Sequence, residues 1–152
     1  MRNFIIFLAL NFLALAIGGQ YTGNGVASEW YQTIKKAPWT PPGWVFGAAW
    51  TTIMICYAFY LKSLIENVKS QSKTIYILYG IQWVLNIIWN PIFFYFQYDV
   101  LALLVISALQ VVLIITFLRY FRVQHYYNLL LLPYLIWLFT AISLNAYIVI
   151  YN

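Results

Sequence analysis

Long apolar runs separated by short polar stretches dominate the chain. Five of them have the length of a helical membrane crossing, at residues 4–21, 44–61, 75–95, 100–118 and 127–151. A bilayer requires about 20 mainly apolar residues per crossing, with every backbone polar group paired inside the helix. The pattern predicts an all-α bundle of five transmembrane helices that forms one integral membrane domain over residues 1–152. It leaves a long first loop at 22–43 and a very short third connection at 96–99, so the third and fourth helices must be antiparallel neighbours.

Composition supports the membrane assignment. Hydrophobic residues make up 64% of the chain and charged residues 7%, against about 45–50% and about 25% in soluble domains. The net charge of +5 does not indicate nucleic-acid binding, because the basic residues lie in the gaps between apolar runs, where membrane lipid is the expected contact.

The first run admits two interpretations. Arg2 followed by an apolar stretch and the Ala16-Ile17-Gly18 segment is also typical of a signal peptide. The alternative is a retained helix, in which Ala14 and Gly18 form a small-xxx-small pair that favours close packing.

Charge asymmetry predicts the orientation. One side of the membrane would carry six basic residues and the other only two. The six are Arg2, Lys62, Lys69, Lys73, Arg119 and Arg122, against Lys35 and Lys36. The positive-inside rule therefore places the N-terminus in the cytoplasm and the C-terminus outside.

Residues 35–42, here called the arm, read KKAPWTPP and lead into the second helix. Its prolines fix φ and remove backbone donors, which makes the arm stiff. Thr40 is predicted to be the N-cap of the second helix. An interfacial aromatic belt is one interpretation of Trp30, Tyr31 and Trp44. For Trp39, which has prolines on both sides, the more specific interpretation is a lid over the mouth of the bundle.

Polar and aromatic residues recur at helical spacing on three of the runs. The stripes are Phe46, Trp50 and Tyr57; Gln82, Asn86, Trp89, Asn90 and Phe93; and Tyr134, Trp137, Ala141, Leu144, Asn145 and Ile148. Amides avoid lipid, so these faces are predicted to point inward. They either join helices or line a pocket for a large, flat, apolar ligand. Pro91 is predicted to loosen the third helix just after Asn90.

Conventional catalytic groupings are missing from the pattern. His125 is the only histidine and lies in a loop, the carboxylates Glu29, Glu66 and Asp99 are far apart, and no metal-ligand motif occurs. No charge lies deep in an apolar run, which argues against an ion-coupled transporter.

Several motifs resemble the tryptophan-rich sensory protein/translocator protein (TspO/MBR) family. They are Trp30-Tyr31, Pro38-Trp39-Thr40-Pro41-Pro42-Gly43, Trp50, Asn86 with Trp89, Pro91-Ile92-Phe93-Phe94, Leu132-Pro133-Tyr134-Leu135-x-Trp137 and Leu144-Asn145. They run in order along nearly the whole chain.

The resemblance implies a five-helix protein, commonly a homodimer, with a cavity under the first loop. It implies binding of porphyrins such as protoporphyrin IX and haem, and of benzodiazepine-site ligands, without an obligatory cofactor. Trp50 and Trp137 match tryptophans linked to light-dependent porphyrin breakdown. Tyr31, Asn86, Ala141 and Leu144 match pocket positions, and Trp39 matches a lid tryptophan. Together with Trp89 and Asn90 from the third helix, these residues form the predicted ligand-binding set.

Two positions depart from the family pattern. Val105 stands where many members have an aspartate. In the cholesterol-recognition motif near the end of the chain, Ala146 stands at the tyrosine position and no basic residue follows it. The second departure speaks against sterol recognition through that motif and favours a bacterial cell membrane. Three functions stay open: porphyrin binding in tetrapyrrole or stress regulation, light-dependent porphyrin degradation, and transport of porphyrin or a small solute.

Overall fold

The computed structural model describes residues 1–152, and its architecture is entirely helical. The helices are α1 (Arg2–Val26), α2 (Glu29–Thr33), α3 (Gly43–Asn67), α4 (Ser72–Asn90), α5 (Asp99–Gln124) and α6 (Leu132–Tyr151). Short 3₁₀ segments, Lys69–Gln71 and His125–Leu131, precede α4 and α6, and a π-helical segment, Pro91–Tyr95, follows α4. The predicted all-α fold class is confirmed.

Four helical stretches are long and apolar enough to cross a membrane: Arg2–Val26, Gly43–Asn67, Lys69–Tyr95 and Asp99–Tyr151. The chain is thus a multi-pass membrane protein. The fourth stretch has 53 residues and contains both α5 and α6. α1, α3 and α5 also extend several residues past the apolar runs. Helices of 25 residues measure roughly 38 Å, longer than the roughly 30 Å hydrocarbon layer, so their ends carry polar residues.

α5 and α6 are antiparallel neighbours. The side-chain amide of Gln110 donates to the Leu135 carbonyl (3.3 Å), and that of Asn145 donates to the Asp99 carbonyl (3.1 Å). The chain reverses at His125, whose φ of 41° lies in the left-handed region. The 53-residue stretch therefore forms two helices that run in opposite directions.

The third and fourth predicted helices correspond to α4 and α5, and their predicted antiparallel arrangement is confirmed as well. Arg119, near the end of α5, donates to the Gln71 side-chain oxygen just before α4, at 3.3 Å. Only residues 96–98 separate the π-helical segment that follows α4 from the start of α5.

α1 packs closely against α4 and the π-helical segment. A Cβ on Gly18 would lie 2.5 Å from the Asn90 amide nitrogen, and one on Gly25 would overlap Phe94. Phe7 and Ala14 are also buried. The predicted small-residue packing face is confirmed, and burial of α1 in the core favours the membrane-helix interpretation over a signal peptide.

Asn11 is buried where α1, α3 and α4 meet, and it links the three helices by hydrogen bonds. The sequence pattern did not single it out. Its amide donates to the Met54 carbonyl of α3 (3.1 Å), and its oxygen accepts from the Tyr79 hydroxyl of α4 (3.0 Å). Hydrogen bonds of this kind are a general means of joining membrane helices.

The start of α3 differs from the prediction. Pro42, not Thr40, occupies the N-cap position, with φ −57° and ψ 149°. The Thr40 hydroxyl instead donates to the Ala37 carbonyl at 2.7 Å. The proline pair stays extended before the helix, since a residue that precedes proline is disfavoured in the α region. Thr40 therefore closes a turn inside the arm.

Candidate binding cavity

A cavity of about 60 Å³ lies between the first connection and the inner faces of α3, α4 and α6. Its lining is mostly apolar and aromatic. The lining residues are Tyr31, Lys36, Thr40, Phe46, Trp89, Phe93, Phe94, Ala141, Leu144, Asn145 and Ile148.

The helical break after Asn90 creates the aromatic side of the cavity. In the π-helical segment the Phe96 amide donates to the Pro91 carbonyl, five residues earlier, at 2.9 Å. Pro91 cannot donate a backbone hydrogen bond. The wider turn brings two successive residues, Phe93 and Phe94, into the core, where they are 4% and 8% exposed. The predicted loosening at Pro91 is confirmed.

These rings form one continuous aromatic cluster. Trp89 stacks on Phe93 with centroids 5.2 Å apart, and Phe93 meets Phe94 edge to face at 4.9 Å. From the first connection, Trp30 contacts Phe93 (5.5 Å) and Tyr31 contacts Phe94 (5.6 Å). α2 is thereby packed onto the end of α4, with its first turn capped by Ser28, whose Oγ accepts from the Tyr31 amide (3.2 Å).

The arm is fastened to α6 by two sets of contacts. The Trp39 indole donates to Ser143 Oγ (3.1 Å) and packs edge to face on Tyr147 (5.5 Å). The Lys35 backbone amide donates to Asn152 Oδ1 (2.8 Å), and Asn152 Nδ2 donates to the Lys35 carbonyl (3.2 Å). Trp39 itself is 54% exposed, so it holds the arm from outside the cavity.

Two of the amides on the predicted inward faces join helices to one another. Gln82 donates to the Tyr134 hydroxyl (2.9 Å), which links α4 to α6. Asn145 accepts from the Trp89 indole (3.4 Å) in addition to its bond to α5. For Gln82 and Asn145 the helix-joining interpretation is confirmed, although Asn145 also reaches the cavity lining.

Asn86 and Asn90 lie beside the cavity rather than on its surface. The Asn90 amide donates to the Asn86 carbonyl (3.1 Å), and its oxygen accepts from Thr22 of α1 (2.7 Å). Asn86 is buried within the bundle.

Neither of the two tryptophans matched to porphyrin breakdown lines the cavity, and only Trp137 contacts a lining residue. Trp137 contacts Phe46 edge to face at 5.3 Å, and Phe46 lines the cavity. Trp50 packs edge to face on Tyr134 at 5.7 Å. Both indoles are partly buried.

Four of the nine predicted ligand-binding residues thus line the cavity: Tyr31, Trp89, Ala141 and Leu144. The other five, Trp39, Trp50, Asn86, Asn90 and Trp137, do not. Helical spacing selects the inward face but not the depth along the helix, so it groups residues that lie at different levels of the bundle. Four further lining residues belonged to the predicted inward stripes: Phe46, Phe93, Asn145 and Ile148. No periodic signal marked the last three lining residues, Lys36, Thr40 and Phe94, because they lie in or next to irregular backbone.

The cavity has one charged side chain. The Lys36 ammonium group lies 4.6 Å from the centroid of the Tyr31 ring. Burial raises the pKa of the Tyr31 hydroxyl above its ordinary value. A tyrosine hydroxyl is protonated at neutral pH with or without this shift, so the group can donate a hydrogen bond. No three His, Cys, Asp or Glu side chains come close enough together to hold a metal ion.

The fold and cavity define a multi-pass helical membrane protein with an aromatic-lined chamber at one end of the bundle. The chain belongs to the TspO/MBR family, whose model matches residues 6–151. It is 34% identical over 150 residues to the tryptophan-rich protein TspO of Chlorobaculum tepidum, with 95% of each chain covered. It is 33% identical to the tryptophan-rich sensory protein of Cereibacter sphaeroides, with 91% of this chain and 87% of the relative covered. The translocator protein of Homo sapiens is 29% identical, with 88% and 80% covered.

Proposed function

We propose that this protein binds porphyrins, such as protoporphyrin IX or haem, in the cavity beneath the arm, and that it acts in tetrapyrrole or stress regulation. The observation that carries the proposal is the continuous aromatic cluster of Trp89, Phe93 and Phe94 on one side of the cavity. Aromatic faces suit flat, apolar ligands, and a few polar groups set their orientation. The same features suit synthetic benzodiazepine-site ligands.

The volume of the cavity adds a condition to this proposal. Ligand pockets usually measure about 300–1,000 Å³, whereas this cavity measures about 60 Å³. A macrocycle therefore enters only if the arm moves away from α6. The arm lacks regular secondary structure and is attached through Trp39 and Lys35, so few contacts must break.

Titration with protoporphyrin IX, followed by tryptophan fluorescence, tests the proposal. Wild type should show saturable quenching. Trp89→Ala should weaken binding roughly 2- to 12-fold, since an aromatic pair contributes about 0.5–1.5 kcal/mol beyond its buried area. Trp44→Ala is the matched control, because Trp44 is 75% exposed and outside the cavity lining. A wild-type protein without saturable quenching would contradict the proposal.

A second candidate function is light-dependent oxidation of the bound porphyrin by dioxygen. The observation in its favour is the edge-to-face contact of Trp137 with Phe46 of the lining, which would leave an electron-rich indole one ring away from a bound photosensitiser. Under illumination the Soret band of the complex should decay faster than that of porphyrin in detergent alone. Equal decay in wild type and in a folded Trp50→Phe, Trp137→Phe variant would rule out a role for these indoles.

We further propose that all five long helices cross a bacterial cell membrane, with the N-terminus in the cytoplasm. The antiparallel α5–α6 pair and the six-to-two distribution of basic residues support this topology. In a Cys56→Ser background, a membrane-impermeant maleimide applied to intact cells should label Lys35→Cys and not Lys73→Cys. The reverse labelling pattern would invert the topology.

A further inference from the structure

Lys36 is the one charged side chain on the lining of an otherwise mainly apolar cavity. The only salt bridge in the structure joins Lys62 to Glu66 at 3.7 Å, far along α3. Lys36 therefore has no carboxylate partner, and its ammonium group rests on the Tyr31 ring at 4.6 Å from the centroid. A cation on the lining of an apolar cavity attracts an anion strongly, because the low dielectric constant of the surroundings screens the charge weakly.

We propose that, among apolar aromatic ligands, the cavity favours those that carry an ionised carboxylate, and that this carboxylate pairs with Lys36. The inference rests on the proposed porphyrin binding and specifies the chemistry of the ligand. Protoporphyrin IX belongs to this class, since its macrocycle is apolar and it carries two propionate groups. The Tyr31 hydroxyl, which is protonated at neutral pH, is a second donor on the same lining.

The position of Lys36 agrees with this role. It precedes the turn in which Thr40 donates to the Ala37 carbonyl, and Thr40 also lines the cavity. A carboxylate paired with Lys36 therefore lies at the arm, while the macrocycle extends toward the aromatic cluster of Trp89, Phe93 and Phe94. The ligand would then fasten the displaced arm through an ion pair.

The neighbouring Lys35 makes a matched comparison. It carries the same charge one residue away but is exposed and absent from the lining. Its backbone, not its side chain, is bonded to Asn152. Removing the charge of Lys35 changes the general electrostatic field near the cavity without changing the lining.

The test compares protoporphyrin IX with its dimethyl ester, which keeps the macrocycle but has no ionisable carboxylate. Dissociation constants are measured by tryptophan quenching for wild type, Lys36→Gln, Lys36→Arg and Lys35→Gln, each checked for folding by circular dichroism. Lys36→Gln should weaken binding of the diacid about five- to tenfold, as expected for a charge-assisted bond that is partly exposed to solvent. It should change binding of the ester less than twofold. Lys36→Arg should restore most of the diacid affinity, and Lys35→Gln should bind both ligands as wild type does.

Each other result contradicts the inference in a recognisable way. Equal losses for diacid and ester in Lys36→Gln would show that Lys36 only supports the arm through the Tyr31 ring. Equal effects of Lys35→Gln and Lys36→Gln would show general electrostatic attraction without a specific pair. If wild type binds both porphyrins and Lys36→Gln changes neither, this inference fails while the proposed function stands. If wild type binds neither porphyrin, both fail.

Discussion

The contact between Trp39 and Ser143 should control how fast a ligand reaches the cavity. Ser143→Ala removes the acceptor of the indole N–H, which lies 3.1 Å from Ser143 Oγ. Because Trp39 is 54% exposed, other polar groups at the membrane surface can replace this partner when it is lost. The closed arm should therefore lose only about 0.5–1 kcal/mol, at the low end for a hydrogen bond.

That free energy corresponds to a roughly two- to fivefold increase in the population of the open arm. If a porphyrin enters only through the open state, its association rate constant should rise by the same factor. The arm stays displaced from α6 in the complex, because a macrocycle does not fit under the closed arm. The complex therefore lacks the Trp39–Ser143 contact, so the dissociation rate constant should stay unchanged and the dissociation constant should fall by the same factor.

Stopped-flow tryptophan quenching with protoporphyrin IX measures both rate constants. Hydrogen exchange gives a readout without ligand, since the Lys35 amide, which donates to Asn152 Oδ1 at the end of α6 at 2.8 Å, should exchange about two- to fivefold faster in Ser143→Ala. Thr140→Ala is the control, because the Thr140 hydroxyl donates only within α6, to the Ile136 carbonyl. Unchanged association and exchange rates in Ser143→Ala would refute the idea that this contact holds the cavity closed.

Three further predictions concern packing and ionisation. Gly25→Ala should destabilise the protein by about 1–3 kcal/mol through overpacking. Gly23→Ala should not destabilise it, because the new methyl group meets no atom within 4 Å. Thermal denaturation in detergent distinguishes the two variants. Tyr134→Phe removes the acceptor of the Gln82 amide and should cost about 0.6 kcal/mol and at most about 1.7 kcal/mol, with a double-mutant cycle through Gln82→Leu showing the coupling. Because burial raises the pKa of Tyr31, the folded state retains the hydroxyl proton above pH ~10, where a free tyrosine loses it. The free energy of unfolding should therefore be unaffected by this group below pH ~10 and should decrease above it. Tyr31→Phe should remove that decrease.

The inward faces of the long helices could be read from the sequence because lipid excludes unpaired polar groups. The amides of Gln82 and Asn145 had to face other helices, and the structure buries both. The same argument identified Phe93 and Ile148, which line the cavity. Helix ends were less accessible to this reasoning, since hydropathy detects the lipid-soluble part of a helix and not the turns that continue beyond it.

Irregular backbone accounts for most of what the sequence left open. Pro91 signalled a break in α4, but only the π-helical geometry shows that Phe94 turns inward together with Phe93. The prolines of the arm indicated stiffness, but not that Trp39 would face Ser143 while Lys36 faces the cavity. These directions depend on contacts between residues about a hundred positions apart, which no local pattern encodes.

The sequence by itself determined that this is an all-helical, multi-pass membrane protein, because its apolar runs can satisfy their backbone groups in lipid only as helices. It also determined which helix faces point inward, because helical periodicity and the exclusion of amides from lipid act locally. Tertiary structure alone decided the depth of each side chain, the small volume of the closed cavity and the position of Lys36 on its lining. Those properties follow from how α3, α4, α6 and the arm pack together, and packing is set by complementary shapes that residues distant in sequence create jointly.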